Sequence, residues 1–209
     1  MSHKVIGAIA LAATVAAGKS ALTRAPVRVA AGTALVTWSG ARVGLRGPAV
    51  RSGMRLGLAV AAPIAVGTAV AAALPPVRAG MAARQLPADP ARWLLVRIPV
   101  ATVWAEEAAF RGGLGTVTAA AFGPRTGRLV QAIAFGLSHI GDARPPGGRE
   151  RSDSGDGLVW ATVVATAAAG WAFDWLYRRS GSLLAPMLAH LAINEAGAVA
   201  ALVVQRRHR

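Results

Sequence analysis

From Leu56 to Leu74 the chain runs without a single charged side chain. About 20 mostly apolar residues in helical geometry cross the hydrocarbon core of a bilayer, and a lipid-exposed segment must satisfy its backbone polar groups internally. This stretch therefore reads as a helix across a membrane. Composition agrees: of 209 residues, 54% are hydrophobic and only 15% are charged, against roughly 25% charged in a soluble domain. Such hydrophobicity excludes intrinsic disorder. With no cysteine in the chain, a disulfide framework and a thiolate metal centre are excluded as well.

Six further apolar stretches, separated by Arg, Pro or Gly, cover residues 5–22, 27–45, 93–122, 128–140, 158–177 and 183–204. The pattern predicts an all-α fold, a polytopic transmembrane bundle of about seven membrane segments, multi-pass in the cell membrane. Residues 93–122 are too polar for an idle lipid-facing helix, with a weak point at Gly112 and Gly113, and residues 128–140 are short for a full span. The first stretch follows Lys4 but leads into no small-residue cleavage site before a soluble domain, so it reads as a membrane segment rather than a signal peptide.

The charge balance is 23 basic against 9 acidic residues, or +14. Lys and Arg are scattered between apolar runs rather than gathered on one face, so nucleic acid is not an expected partner. Positive helix ends at a membrane explain the balance better. Arg42, Arg46, Arg51 and Arg55 recur between the second and third stretches. They read either as an amphipathic strip on an anionic membrane surface or as a solvated loop. With Arg125, Arg128, Arg178 and Arg179 they fall on one face of the bundle, read as cytoplasmic, while the other face receives similar numbers of Arg together with Asp89, Asp142, Glu150, Asp153 and Asp156, so the charge count barely discriminates the two orientations. The connection from Gly141 to Gly157, rich in Pro, Gly and mixed charge, reads as exposed. Trp93, Trp160, Trp175 and Tyr177 fall near segment ends, where amphipathic rings favour the interface.

Against this background the polar residues inside the apolar stretches need a reason, because an ionised group near the bilayer centre costs at least about 2.5–3.5 kcal/mol. Glu106 lies thirteen residues beyond Trp93, roughly 20 Å along an α-helix, so Glu106, Glu107 and Arg111 belong near the midplane. Glu107 and Arg111, four apart, can pair, which leaves Glu106 over. Phe135 and His139 share one helix face, and so do His190 and Asn194. Each set has a bland reading, a bundle ion pair or a hydrogen-bonded packing histidine. Gathered in one cavity, however, Glu106, His139 and His190 could polarise water, exchange protons or bind a metal, and Asn194 could donate to a developing oxyanion. Hydrolysis of an amide needs those parts. Asp174 can pair with Arg178, while Glu195 has no evident partner.

Glu106-Glu107 with Arg111, Phe135 with His139, and His190 with Asn194 resemble the three motifs EExxxR, FxxxH and HxxxN of the CPBP intramembrane proteases, in order and on hydrophobic segments. That family includes the CAAX prenyl endopeptidases and bacterial relatives, some linked to bacteriocin self-immunity. The resemblance covers residues 97–194. It implies a helical membrane bundle in which Glu106 activates the attacking water with help from His139, His190 and Asn194 stabilise the oxyanion, and Glu107 with Arg111 organises the site. The N-terminal third carries little of this signal, and the chain is divided into residues 1–55, N-terminal membrane segments with a basic amphipathic connection, and residues 56–209, a CPBP-like catalytic bundle.

The family is commonly labelled metallo, but HExxH, the strong zinc-protease spacing, is absent. A divalent metal such as zinc, on His139 and His190, is conditional on one being bound, and no other cofactor is expected. The expected partners are membrane lipid and a membrane-associated protein or peptide substrate. Two other readings use the same residues: a non-catalytic scaffold or bacteriocin-immunity-type protein retaining the polar cluster, and a transporter relaying protons through Glu and His.

Overall fold

The structure, a computed structural model, describes residues 3–17, 25–143 and 153–207. Among these, all regular structure is helical: α1 (His3–Ala17), α2 (Ala25–Trp38), α3 (Gly47–Ala71), α4 (Pro75–Ala83), α5 (residues 90–122), α6 (Pro124–Leu137), the single turn α7 (Ile140–Ala143), α8 (Asp153–Ser180) and α9 (Leu184–Arg206). The expected all-α fold is present. Among the described residues α3, the Asp156–Ser180 part of α8, and α9 are both long and apolar enough to cross a membrane, so the structure supports three spanning helices by length and composition and does not confirm seven. α1 and α2 are short, and α6 ends at Leu137, leaving His139 on the turn that follows.

The spanning helices turn most of their apolar surface outward. In α3 only 11% of the most apolar window is buried inside the protein, and Leu58, Val66 and Val70 are exposed. In water such a surface would drive association; against acyl chains it is the surface a spanning helix needs. α3 begins at Gly47, nine residues before the charge-free stretch, so Arg51 and Arg55 belong to its first turns rather than to a separate connection. Residues 144–152, most of the Gly141 to Gly157 connection, lie outside the described residues. α4, which the apolar pattern misses, is tied to α9 by Gln205 Nε2 donating to the Met81 and Arg84 carbonyls at 3.0 and 2.7 Å.

The core lies around α5. α1 buries Val5, Ala8, Ala12 and Val15, the three- and four-residue spacing of one helical stripe. α2 buries Arg28, Ala31, Gly32, Leu35 and Val36. These faces pack on the second half of α5, where Ala105, Ala109, Phe110 and Leu114 complete the same cluster. Gly112 and Gly113 are no weak point: α5 continues through both, and added Cβ atoms would run into Val36 and Leu35. They are small because α2 lies against them. Gly32 plays the reciprocal part, since a Cβ there would stand 2.6 Å from the Ala105 carbonyl oxygen. Trp104 Nε1 donates to Thr33 Oγ1 at 2.9 Å beside this contact.

α5 is mostly not an α-helix. Trp93–Trp104 and Glu107–Leu114 follow π-helical turns, between a short α turn at Pro90–Arg92 and the α-helical Gly115–Phe122. Pro99 withholds one backbone donor within the first π stretch, so an α ladder there would be interrupted in any case. A π turn holds more residues than an α turn and is frequent at functional sites. The α-helical angle and rise assumed for residues 93–122 are corrected accordingly.

One end of the bundle is stitched by the chain after α2. Tyr177 donates from its hydroxyl to the Arg42 carbonyl at 3.0 Å, the Leu183 amide to the Val43 carbonyl at 2.9 Å, and Ser182 Oγ to the Gly44 carbonyl at 2.7 Å. Gly53 and Gly57 of α3 face Ser182, Ala185 and Leu188 so closely that a Cβ at either would overlap them. Small residues let two helices approach where lipid supplies no hydrophobic drive.

Candidate active site

Glu106 and Glu107 are adjacent on α5 and buried, 1% and 0% exposed, yet they serve different neighbours. Glu106 faces α2, where Arg28 Nη2 donates to its Oε1 at 2.8 Å while Arg28 Nε donates to the Val15 carbonyl of α1 at 2.7 Å. Glu107 faces α9: His190 Nδ1 donates to its Oε1 at 2.7 Å, and Arg111 Nε lies 3.2 Å from its Oε2. The expected Glu107–Arg111 pair is present. The expectation that Glu106 is left over is corrected, because Arg28 accompanies it. Arg28 was overlooked because it stands near the start of an apolar stretch, where a basic residue can snorkel. A guanidinium flanked by Val27 and Val29 was the available signal.

Arg111 is fully buried. Its contact with Glu107 is an ion pair rather than an aligned hydrogen bond. Its guanidinium carbon instead lies 3.9 Å from the centre of the Phe135 ring and 5.1 Å from that of Phe173, and aromatic faces attract such a cation. Phe173 also stacks on His190 at 5.3 Å, while Phe135 meets His139 edge-on at 4.7 Å. One aromatic pair thus separates the buried arginine from the two imidazoles.

His139 Nδ1 faces the Phe135 carbonyl oxygen at 2.7 Å. A carbonyl only accepts, so Nδ1 carries the hydrogen and Nε2 holds the lone pair of the neutral ring. The same reasoning for His190 against Glu107 leaves its Nε2 as the nitrogen for other chemistry. Asn194 donates from Nδ2 to the His190 carbonyl one turn back, at 3.1 Å, and an amide nitrogen with one hydrogen so used has a second.

Glu106, His139, His190 and Asn194 line one cavity of about 590 Å³, bounded also by Arg28, Phe135 and Phe173. Glu107 and Arg111 are not on its wall and support His190 from behind. The six residues singled out in the sequence therefore separate into four that meet the cavity and two beneath it.

The three sequence motifs converge here from α5, the turn after α6, and α9. A family model described as type II CAAX prenyl endopeptidase, Rce1-like, matches residues 88–196. The chain belongs to the Rce1-like family. The match spans α5 to α9 and so contains Glu106, Glu107, Arg111, His139, His190 and Asn194. Rce1-like proteins are membrane-embedded proteases, in agreement with the apolar helices described above. Arg28, which touches Glu106, comes from outside the matched region. No curated protein and no solved structure matches the chain.

Among the described residues no three His, Asp or Glu side chains converge as a ligand set, and Nδ1 of each imidazole is already engaged. His139 and His190 alone fall short of the three protein ligands of a catalytic zinc site. Elsewhere, Asp174 is buried between Arg178 and Arg128, at 2.6 and 2.9 Å from their Nε atoms. Arg178 is the expected partner and Arg128 an added one. Glu195 makes no ion pair among the described residues.

Proposed function

We propose that this Rce1-like chain is an intramembrane endopeptidase that hydrolyses a peptide bond in a membrane-associated protein or peptide, with water activated by Glu106 and His139. The observation that carries this reading is the meeting of Glu106, His139, His190 and Asn194 on one cavity. A carboxylate and an imidazole on the same wall can share the proton of a water between them.

In the proposed reaction the water oxygen adds to the scissile carbonyl carbon and its proton passes to Glu106 or His139. The carbonyl oxygen becomes an oxyanion, held by the amide of Asn194 and by His190 donating from Nε2. Such donation uses the doubly protonated ring, whose Nδ1 then donates to the Glu107 carboxylate at 2.7 Å. Collapse of the tetrahedral intermediate breaks the carbon–nitrogen bond, and the stored proton goes to the leaving amine. Arg28 holds the Glu106 carboxylate in place through its 2.8 Å hydrogen bond to Oε1.

The second reading, a non-catalytic scaffold, is favoured by one observation: both glutamates sit in ion pairs with buried cations. The deciding experiment reconstitutes the wild type and Glu106→Gln with membrane-anchored peptide libraries and measures cleavage by mass spectrometry. Turnover by the wild type that falls by about 10²–10⁴-fold in the variant supports the protease; equal product from both sinks it. A chelator arm addresses the metal: activity lost with chelator and restored by zinc shows that a metal is required, and unchanged activity removes it.

A further inference from the structure

A second cavity, of about 690 Å³, lies at the stitched end of the bundle between the first turns of α3 and the last turns of α8. Arg51 and Arg55, four apart on α3, face Trp175 and Arg179, four apart on α8. Side chains at that spacing share a helix face, so two such faces close on each other. Pro48, Ser52, Leu56 and Ala59 of α3 complete its lining. None of the three arginines makes an ion pair or a hydrogen bond among the described residues. The groove lies outside the catalytic cavity and shares no residue with it.

Three guanidinium groups around one groove with no acidic residue beside them repel one another, and an anion placed among them removes that cost. The guanidinium fork matches phosphate oxygens in pairs, and the Ser52 hydroxyl can add a donor. We propose that this groove binds the phosphate headgroup of an anionic phospholipid. A lipid is favoured over a soluble phosphate because the lining continues from the arginines to Leu56 and Ala59 on a helix whose apolar surface faces outward. A headgroup among the arginines thus leaves its acyl chains along α3. Trp175, 46% exposed, is the kind of ring that settles at the headgroup level. Basic pockets between membrane helices recognise anionic headgroups in this way.

The test uses the full-length protein in detergent micelles and in nanodiscs. Native mass spectrometry compares retention of phosphatidylglycerol and phosphatidylcholine by the wild type, by the triple variant Arg51→Gln, Arg55→Gln, Arg179→Gln, and by Arg42→Gln as a control outside the groove. The expected result is a preference of roughly 10- to 100-fold for phosphatidylglycerol in the wild type and control, lost in the triple variant. A second measurement needs no variant: a photoactivatable phosphatidylglycerol should label residues 51–59 or 175–179 of the wild type. Equal retention of the two lipids by the wild type, or labelling confined to other segments, overturns the proposal. So does release of the lipid by millimolar inorganic phosphate, which would assign the groove to a soluble anion.

Discussion

Arg28 of α2 donates from Nη2 to Glu106 Oε1 of α5 at 2.8 Å, joining residues 78 apart in the chain, and both side chains are almost fully buried. Removing one member of a buried pair leaves an uncompensated charge, at a cost of about 3–5 kcal/mol. Arg28→Met should therefore lower the thermal midpoint in detergent and reduce cleavage at least about tenfold by misplacing Glu106. The double variant with Glu106→Gln should recover much of the lost stability, because neither charge then remains, and should stay inactive. Additive losses in the double variant would show that the pair is not coupled.

The same contact rests on Gly32, one helical turn beyond Arg28, whose missing Cβ admits the Ala105 carbonyl next to Glu106. Gly32→Ala should push α2 from α5 and cost about 1–3 kcal/mol, with activity falling alongside. Gly67→Ala, on a helix face with open space around it, should be neutral or stabilising by up to about 1 kcal/mol. Thermal unfolding of the two variants side by side measures the difference. Similar midpoints would refute the close-approach argument.

His139 separates chemistry from packing. Its ring stands on a turn, partly exposed, and Nδ1 is held by the Phe135 carbonyl. His139→Ala should leave the protein inserted and folded, with stability changed by no more than about 1 kcal/mol, while cleavage falls by about 10²-fold or more. Poor insertion or early unfolding would instead mark His139 as a packing residue.

In the proposed reaction Glu107 is a positioning residue whose carboxylate accepts from His190 Nδ1. Glu107→Gln preserves shape and an acceptor for Nδ1 but removes the negative charge beside the ring. Catalytic turnover should fall by about 10²–10³-fold, the scale of losing one oxyanion donor, with KM little altered. A change confined to KM would place Glu107 in substrate binding instead. Asn194→Ala should produce a loss in kcat of the same kind, without the instability that follows from stranding Arg111.

How far the chain could be read in advance depended on the range of the interaction. Glu107 with Arg111 and Asp174 with Arg178 are pairs within one helix, legible from spacing because helix geometry brings residues four apart together. Arg28 with Glu106, His190 with Glu107, and Arg128 with Asp174 each join two helices. Spacing carries no trace of those partners. α4 lacks a long apolar run and so leaves no mark in the pattern, and against the seven apolar stretches read as segments three helices among the described residues meet the length and hydropathy of a span. Apolarity marks what avoids water, and a stretch buried among other helices reads the same as one facing lipid.

By itself, the sequence determined that this protein is helical, that its long apolar stretches suit a membrane, and that the polar residues inside them need a reason. Those conclusions follow from local quantities: side-chain transfer energies, helical periodicity and the cost of a charge away from water. Only the tertiary structure decided that Glu106 answers to Arg28 and Glu107 to His190, and that the glycines of α2 and α5 are points of contact rather than breaks. The physical reason is that a buried charge must find its counter-charge somewhere, while which helix supplies it depends on how closely small residues allow two backbones to approach.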